Sequence, residues 1–210
     1  MPGDNNNNDA TTRQVELIHQ DSEHVCARPS RGPMAGYIPN IVVQLHDTRR
    51  AMFYEDLLLG KAVLIACISA RSGDSCSVLS TFAELQSLLG SRLGKDAFLY
   101  CLTTEPEHDT PKVLRQLAER YGARDGWLFL TGQTGQLELL RQRLFTHSGG
   151  HDCSMTLVRY GNESVGLWGG LSASSGAHAM AERLLWIQPR AAIAGKPRRK
   201  GPPPLDPRSV

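Results

Sequence analysis

The side chains able to do chemistry fall into a few short stretches. The stretch Ser69 to Cys76 reads SARSGDSC and carries Arg71, Ser75 and one thiol, Cys76. A thiol at the start of a helix, close to a guanidinium, is held toward the thiolate form. Cys76 could therefore exchange with a partner's disulfide, although its loop holds no second cysteine to resolve the product. A later stretch, Thr146 to Cys153, sets His147 and His151 between glycines and ends on a second thiol. Between them lies Thr104 to Pro111, TEPEHDTP, where Glu105, Glu107 and His108 could form an acid/base or metal cluster. Helix capping by Asp109 or Thr110, with Pro111 at the first helical position, explains much of that stretch without chemistry. Near the N-terminus His19, Glu23, His24 and Cys26 can be drawn as a metal cluster, but no surrounding pattern would preorganise them, and no site is expected there.

These stretches need elements to position them. Ala62 to Ile68 is an apolar run with the length and β-branched content of a buried strand. Helical spacing follows at Val78, Leu79, Phe82, Leu85 and Leu88, so the polar loop between them feeds a helix N-terminus. Ile38 to Leu45, a turn at His46 and Asp47, and Arg49 to Phe53 read as a hairpin, followed by a short helical turn over Tyr54 to Leu59. Ala97 to Thr103 and Trp127 to Thr131 are further buried strands. Each is followed by a helical stripe, Val113 to Tyr121 and Leu137 to Leu144, the second capped by Thr134. Met155 to Tyr160 and Val165 to Trp168, split by Gly161 and Asn162, suggest a second hairpin whose turn can be longer than two residues, and Ala177 to Ile187 a closing helix. The order is hairpin, βαβαβα, hairpin, α. It implies an α/β fold of the thioredoxin-like kind, with a central mixed sheet flanked by helices and an added N-terminal β-hairpin. The domain is expected over residues 36–188. The Asn-rich residues 1–35 and the basic, Pro-rich residues 189–210 are expected to be disordered.

Composition bounds the rest. The net charge of +2 is uneven: the tail from Gly195 carries five basic residues against Asp206, and the remainder is slightly acidic. A basic body for nucleic acid is absent. The run KPRRK could touch phosphates or an anionic membrane surface, and more simply solubilises a chain end. Five cysteines, Cys26, Cys67, Cys76, Cys101 and Cys153, form no close pair, which argues against a dense disulfide framework; Cys67 and Cys101 read as buried free thiols. No signal-peptide pattern and no apolar run long enough to span a bilayer occurs, so no transmembrane segment is expected. Trp127, Trp168 and Trp186 read as core or edge aromatics. No nucleophile–base pair, phosphate loop or dinucleotide fingerprint is present, so a conventional enzyme is not expected.

From Gly36 to Ile187 the chain resembles the Sco/SenC family, thioredoxin-fold copper chaperones and assembly proteins for cytochrome c oxidase. The carrying stretches are IPNIVVQLHDTRRAMFYEDLLLGKAVLI, FLYCLTTEPEHDTPKVL, GWLFLTG and VRYGNE. The resemblance implies a copper-delivery or thiol-redox role and a protein partner, a respiratory oxidase subunit or assembly factor. It also implies a periplasmic or membrane-tethered location, for which the sequence shows no signal or anchor, leaving localisation unknown. Family members hold copper through a CxxxC pair on the first βα loop and a later histidine, a soft set suited to Cu(I). Counted from EPEHDTP and VRYGNE, those three positions are Arg71, Ser75 and Ser154 here. A guanidinium cannot ligate, and hydroxyls suit a soft ion poorly. The family's copper site is accordingly expected to be lost as built, with no certain cofactor. A relocated Cu(I) site could use Cys76, Cys153 and His151. The alternative is a non-catalytic partner-binding or regulatory module.

Overall fold

The structure is a computed structural model that describes residues 32–72, 75–145 and 157–188, with the backbone alone of Ser75 and Cys76. The two expected disordered ends (but for 32–35), the candidate cluster His19, Glu23, His24 and Cys26, and the loop with His147, His151, Cys153 and Ser154 lie outside the described residues.

The strand expected over Ala62–Ile68 is present with those bounds as β3 and is buried at all seven positions. Alternation sends Leu64, Ala66 and Ile68 into one apolar cluster and Val63, Ile65 and Cys67 into the other, so both faces of the sheet are covered. β4 (Ala97–Thr103) and β5 (Trp127–Thr131) also match expectation, and β3, β4 and β5 run parallel. The N-terminal hairpin forms from β1 (Val42–Leu45) and β2 (Arg50–Met52). Its first strand is shorter than the apolar run suggests: Ile38 and Ile41 are buried, but in the loop before β1. A π-helical turn, Phe53–Leu58, fills the place of the expected helical turn.

Helix α1 (Ser75–Leu89) begins three residues ahead of its first apolar position, because a helix's opening turn faces solvent before its stripe reaches the sheet. α2 (Pro111–Arg120) opens with Pro111 and is capped by the Thr110 hydroxyl, which accepts from the Val113 amide at 3.4 Å. Thr134 is the first residue of α3 (Thr134–Phe145) rather than its cap. The second hairpin turns later than Gly161 and Asn162: β6 is Leu157–Asn162 and β7 is Leu167–Ser172. Gly161 stays in the ladder because the Trp168 ring lies where a Cβ would sit, 2.3 Å away. α4 (Gly176–Trp186) closes the described chain.

The seven strands lie in the order β2-β1-β5-β4-β3-β6-β7, so a hairpin sits at each edge. One face packs Phe82 of α1, Leu114 of α2 and Met180 of α4 against Trp127 and Phe129. The other packs Phe53, Tyr54 and Leu140 of α3 against Ile65 and Tyr100. This is the thioredoxin-like arrangement. The loops after β3, β4 and β5 all emerge at one pole.

Candidate functional site

Two loops meet at that pole, and a buried carboxylate joins them. Asp109 is fully buried; its carboxylate accepts from the Ala70 amide at 3.1 Å in the loop after β3 and from the Thr103 hydroxyl at the end of β4. The Thr103 hydroxyl in turn accepts from the Glu105 amide at 2.9 Å. The Thr104 amide donates to the Ile68 carbonyl at 2.8 Å, extending the β3–β4 pairing past the strands. Asp109 is thus the loop tie, and the cap belongs to Thr110. The His108 and Asp109 amides both donate to the Glu105 carbonyl, folding TEPEHD into a turn on which Glu107 and His108 are exposed.

Arg71 lies at the tip of the first loop. Its amide donates to the Ser69 hydroxyl at 3.2 Å, and its guanidinium reaches across to Glu105, Nε at 3.0 Å and Nη2 at 2.9 Å from the same carboxylate oxygen. The pair is largely exposed, so it orients the loop more than it stabilises the fold. Cys76 is the second residue of α1, in its first turn, as expected from the helical spacing. On the far side of the β4 loop, Arg141 of α3 donates to the Thr104 carbonyl at 3.1 Å and pairs with Glu138. A cavity of about 400 Å³ opens beside this network, between Pro106 and Thr110 on one side and Val42, Arg50 and Gln133 on the other.

The remaining thiols divide. Cys101, in the middle of β4, is free, and burial pushes its thiol up to about 12 despite the Trp127 Nε1–H donated to its sulfur at 3.3 Å. It is inert, as expected for a buried thiol. Cys67 departs from expectation: it is disulfide-bonded, to a sulfur outside the described side chains. An odd, scattered count disfavours a framework of bridges but leaves room for one. Cys67 stands one residue from the end of β3, at the pole where the loops gather, which gives another cysteine access that a mid-strand position would deny.

Of the sequence-stretch candidates, the structure brings together Arg71, Glu105 and Asp109, and places Ser75 and Cys76 at the mouth of α1. Cys153, His151 and Ser154 lie outside the described residues. Among the described residues no group of three or more His, Cys, Asp and Glu side chains is arranged to hold a metal ion, and no helix is long and apolar enough to cross a membrane. Sequence reasoning missed the roles of Thr103 and Arg141. Their signal was faint: a polar residue closing an apolar strand, and a cation set among the leucines of its helix.

Comparison with known proteins follows the same contour. No curated protein matches the chain. Solved structures match over most of it: a SCO1/SenC family lipoprotein from Bacillus anthracis, 14% identical, covers 71% of this chain and 94% of its own with a TM-score of 0.60. Yeast Sco1 with copper bound, 16% identical, covers 76% and 93% with a TM-score of 0.57. BsSco, described with a disulfide switch, is 17% identical and covers 77% and 96% with a TM-score of 0.58. At such identities these likenesses establish the fold alone. The family model for SCO1/SenC matches residues 43–152, from β1 past the end of α3, which is just over half of the chain. With the strand order, the loop tie and this match together, the chain belongs to the SCO1/SenC family.

Proposed function

We propose that this protein works in cytochrome c oxidase assembly as a non-enzymatic, partner-binding member of its family, and not through the family's two-thiolate copper site. The place in oxidase assembly comes from the family and from BsSco, which is described as belonging to the cytochrome c oxidase assembly proteins. The departure from copper chemistry rests on one observation: the stretch from Ser69 to Cys76 holds a single cysteine. A cuprous ion wants two thiolates and an imidazole. Any alignment of SARSGDSC with a CxxxC motif leaves at least one of the two cysteine positions without sulfur. The donor set of this loop does not fit copper.

What remains is a shaped pole. The Asp109 tie holds two loops in fixed relation, and the cavity beside Pro106 offers a recess to a partner's side chains. The disulfide at Cys67 supports action in an oxidising compartment, since such bonds rarely persist in a reducing cytosol. The competing reading is copper delivery or thiol exchange through a reduced ligand set, Cys76 with Cys153 and His151. A complementation experiment separates the two. In cells deleted for this gene, wild type and Cys76→Ser are expected to restore oxidase activity equally, while charge reversal of Glu105 together with bulky substitution of Gln133 at the recess is expected to fail. Loss of rescue in Cys76→Ser alone, with the protein at normal abundance, would overturn the proposal in favour of thiol or metal chemistry.

A further inference from the structure

The two edges of the sheet are guarded differently. β2, at one edge, is three residues long and begins on Arg50. β7, at the other, runs six residues, LWGGLS, with no proline and no charged side chain. Its register with β6 is unbroken, so no bulge turns it aside. Alternate residues of an antiparallel edge strand point their N–H and C=O groups away from the sheet. Among the described residues no strand pairs with those of β7. Folded chains usually blunt such an edge with lysine, proline or a bulge.

Two glycines sit in the middle of this strand, and neither serves a turn, since both keep φ outside the left-handed region. What they leave is space over the edge. Gly170 stands opposite Arg159 of β6, and the Arg159 side chain lies across it, with Nη1 3.4 Å and Cδ 3.8 Å from where a Cβ would be. Gly169 stands opposite Tyr160, whose hydroxyl occupies the place of its Cβ on the other face. Side chains of β6 thereby reach the rim of the sheet, a guanidinium on one face and a phenol on the other. Glycine inside a strand marks such close approach by another group.

Arg159 has no acceptor within the described structure. Its Nε is buried and donates to nothing, and no carboxylate pairs with its guanidinium among the described residues. Burial lowers its pKa, and the groups opposing that are the phenols of Tyr37 and Tyr160. A part-buried cation without an acceptor is costly, and an anion brought to it would remove that cost.

We propose that the free edge of β7 takes an extended segment of a partner protein as a further antiparallel strand, with an acidic residue of that segment opposite Gly170 and paired with Arg159. Residues directly opposite in a ladder share a face, and strands lie about 4.8 Å apart, so a carboxylate at that position meets the guanidinium lying over Gly170. Leu167, 42% exposed, is three positions away on the other face and asks for an apolar residue opposite it. Main-chain bonds supply the affinity, and these two side chains select the sequence. A second copy of the chain is disfavoured as the occupant: pairing β7 with β7 about its centre would bring two unpaired Arg159 guanidiniums onto one face. This edge is separate from the loop pole and its recess, and the inference needs neither.

The test is fluorescence anisotropy of the full-length chain with a labelled peptide, TVETVIT, whose glutamate and isoleucine have the required spacing. Binding is expected, and should be at least about tenfold weaker when the glutamate is replaced by lysine and in Arg159→Gln. Arg159→Gln should bind the glutamate peptide and its glutamine version alike, which separates the ion pair from a general loss of shape. N-methylation of alternate peptide amides should abolish binding for one of the two sets and spare the other, as strand pairing requires. In hydrogen exchange, the outward amides of β7 should exchange quickly in the free protein and become protected once the peptide is bound. Circular dichroism establishes that Arg159→Gln is folded, and the peptide variants leave the protein itself unchanged. The proposal is overturned if the glutamate peptide does not bind, if the lysine peptide binds as well, or if both N-methylated sets bind. It is also overturned if the whole of β7 is already protected in the free protein, since another segment of the chain or a second copy would then hold the edge.

Discussion

Asp109 shows how much one side chain can decide. Its sequence context offered a helix cap, and Thr110 beside it offered the same; which of the two takes the cap depends on what else needs a carboxylate. Here the Ala70 amide and the Thr103 hydroxyl, from two different segments, converge on Asp109 inside the protein. Asp109→Ala should leave both donors buried without an acceptor and cost roughly 1–3 kcal/mol, read as a lower urea midpoint. Arg71→Ala removes an exposed pair and should change stability by less than about 1 kcal/mol, a contrast that separates loop tie from loop tip. His46, in the β1–β2 turn, gives a pH dependence. Its Nδ1 accepts from the Phe129 amide at 3.3 Å, and burial holds its pKa below 6.5, with Arg115 and Arg49 adding to this and Asp47 opposing it. The unfolded chain then binds the proton more readily, so this contribution is present above about pH 6.5 and is lost as pH falls below it. The urea midpoint should drop between pH 7.5 and 5, and His46→Gln should flatten that part of the drop.

At the scale of elements, strands buried on both faces were the most legible. β3, β4 and β5 carry unbroken apolar runs, and nothing in the tertiary structure competes with such a run. The edge hairpins were less so. Ile38 and Ile41 are as buried as strand residues but pack from a loop, and the β6–β7 turn moved because Trp168 needed a glycine opposite it. Contacts between segments distant in sequence were not legible at all: Arg71 and Glu105 are 34 residues apart, and no local pattern announces their pairing. The bond at Cys67 belongs to this class. A non-reducing peptide map is expected to return a cross-linked peptide containing Cys67 and an unlinked one containing Cys101, and reduction should lower the melting temperature, a disulfide being worth about 2–4 kcal/mol. A map with Cys67 alkylated as a free thiol would contradict that assignment.

Over the whole molecule the two poles have different chemistry. One gathers tied, polar loops around Arg71, Glu105 and Asp109; the other gathers exposed apolar side chains such as Leu88, Leu185 and Trp186. The fold between them is the family's, and the family was readable from its motifs because those motifs shape loops as well as ligate metal: TEPEHDTP is explained here by its turn, tie and cap. The retained scaffold can also be used to ask what was removed. Ser72→Cys places a thiol four residues before Cys76 and restores the spacing of a CxxxC pair. It should raise cuprous affinity at least about tenfold over wild type if sulfur count is what this loop lacks.

The most direct test is the copper retained per chain when the reduced full-length protein is equilibrated anaerobically with cuprous ion and a chromophoric competitor. Wild type is expected to yield its copper to the competitor and to titrate like Cys76→Ser. One cuprous ion held per chain, and released by Cys76→Ser, would contradict the account.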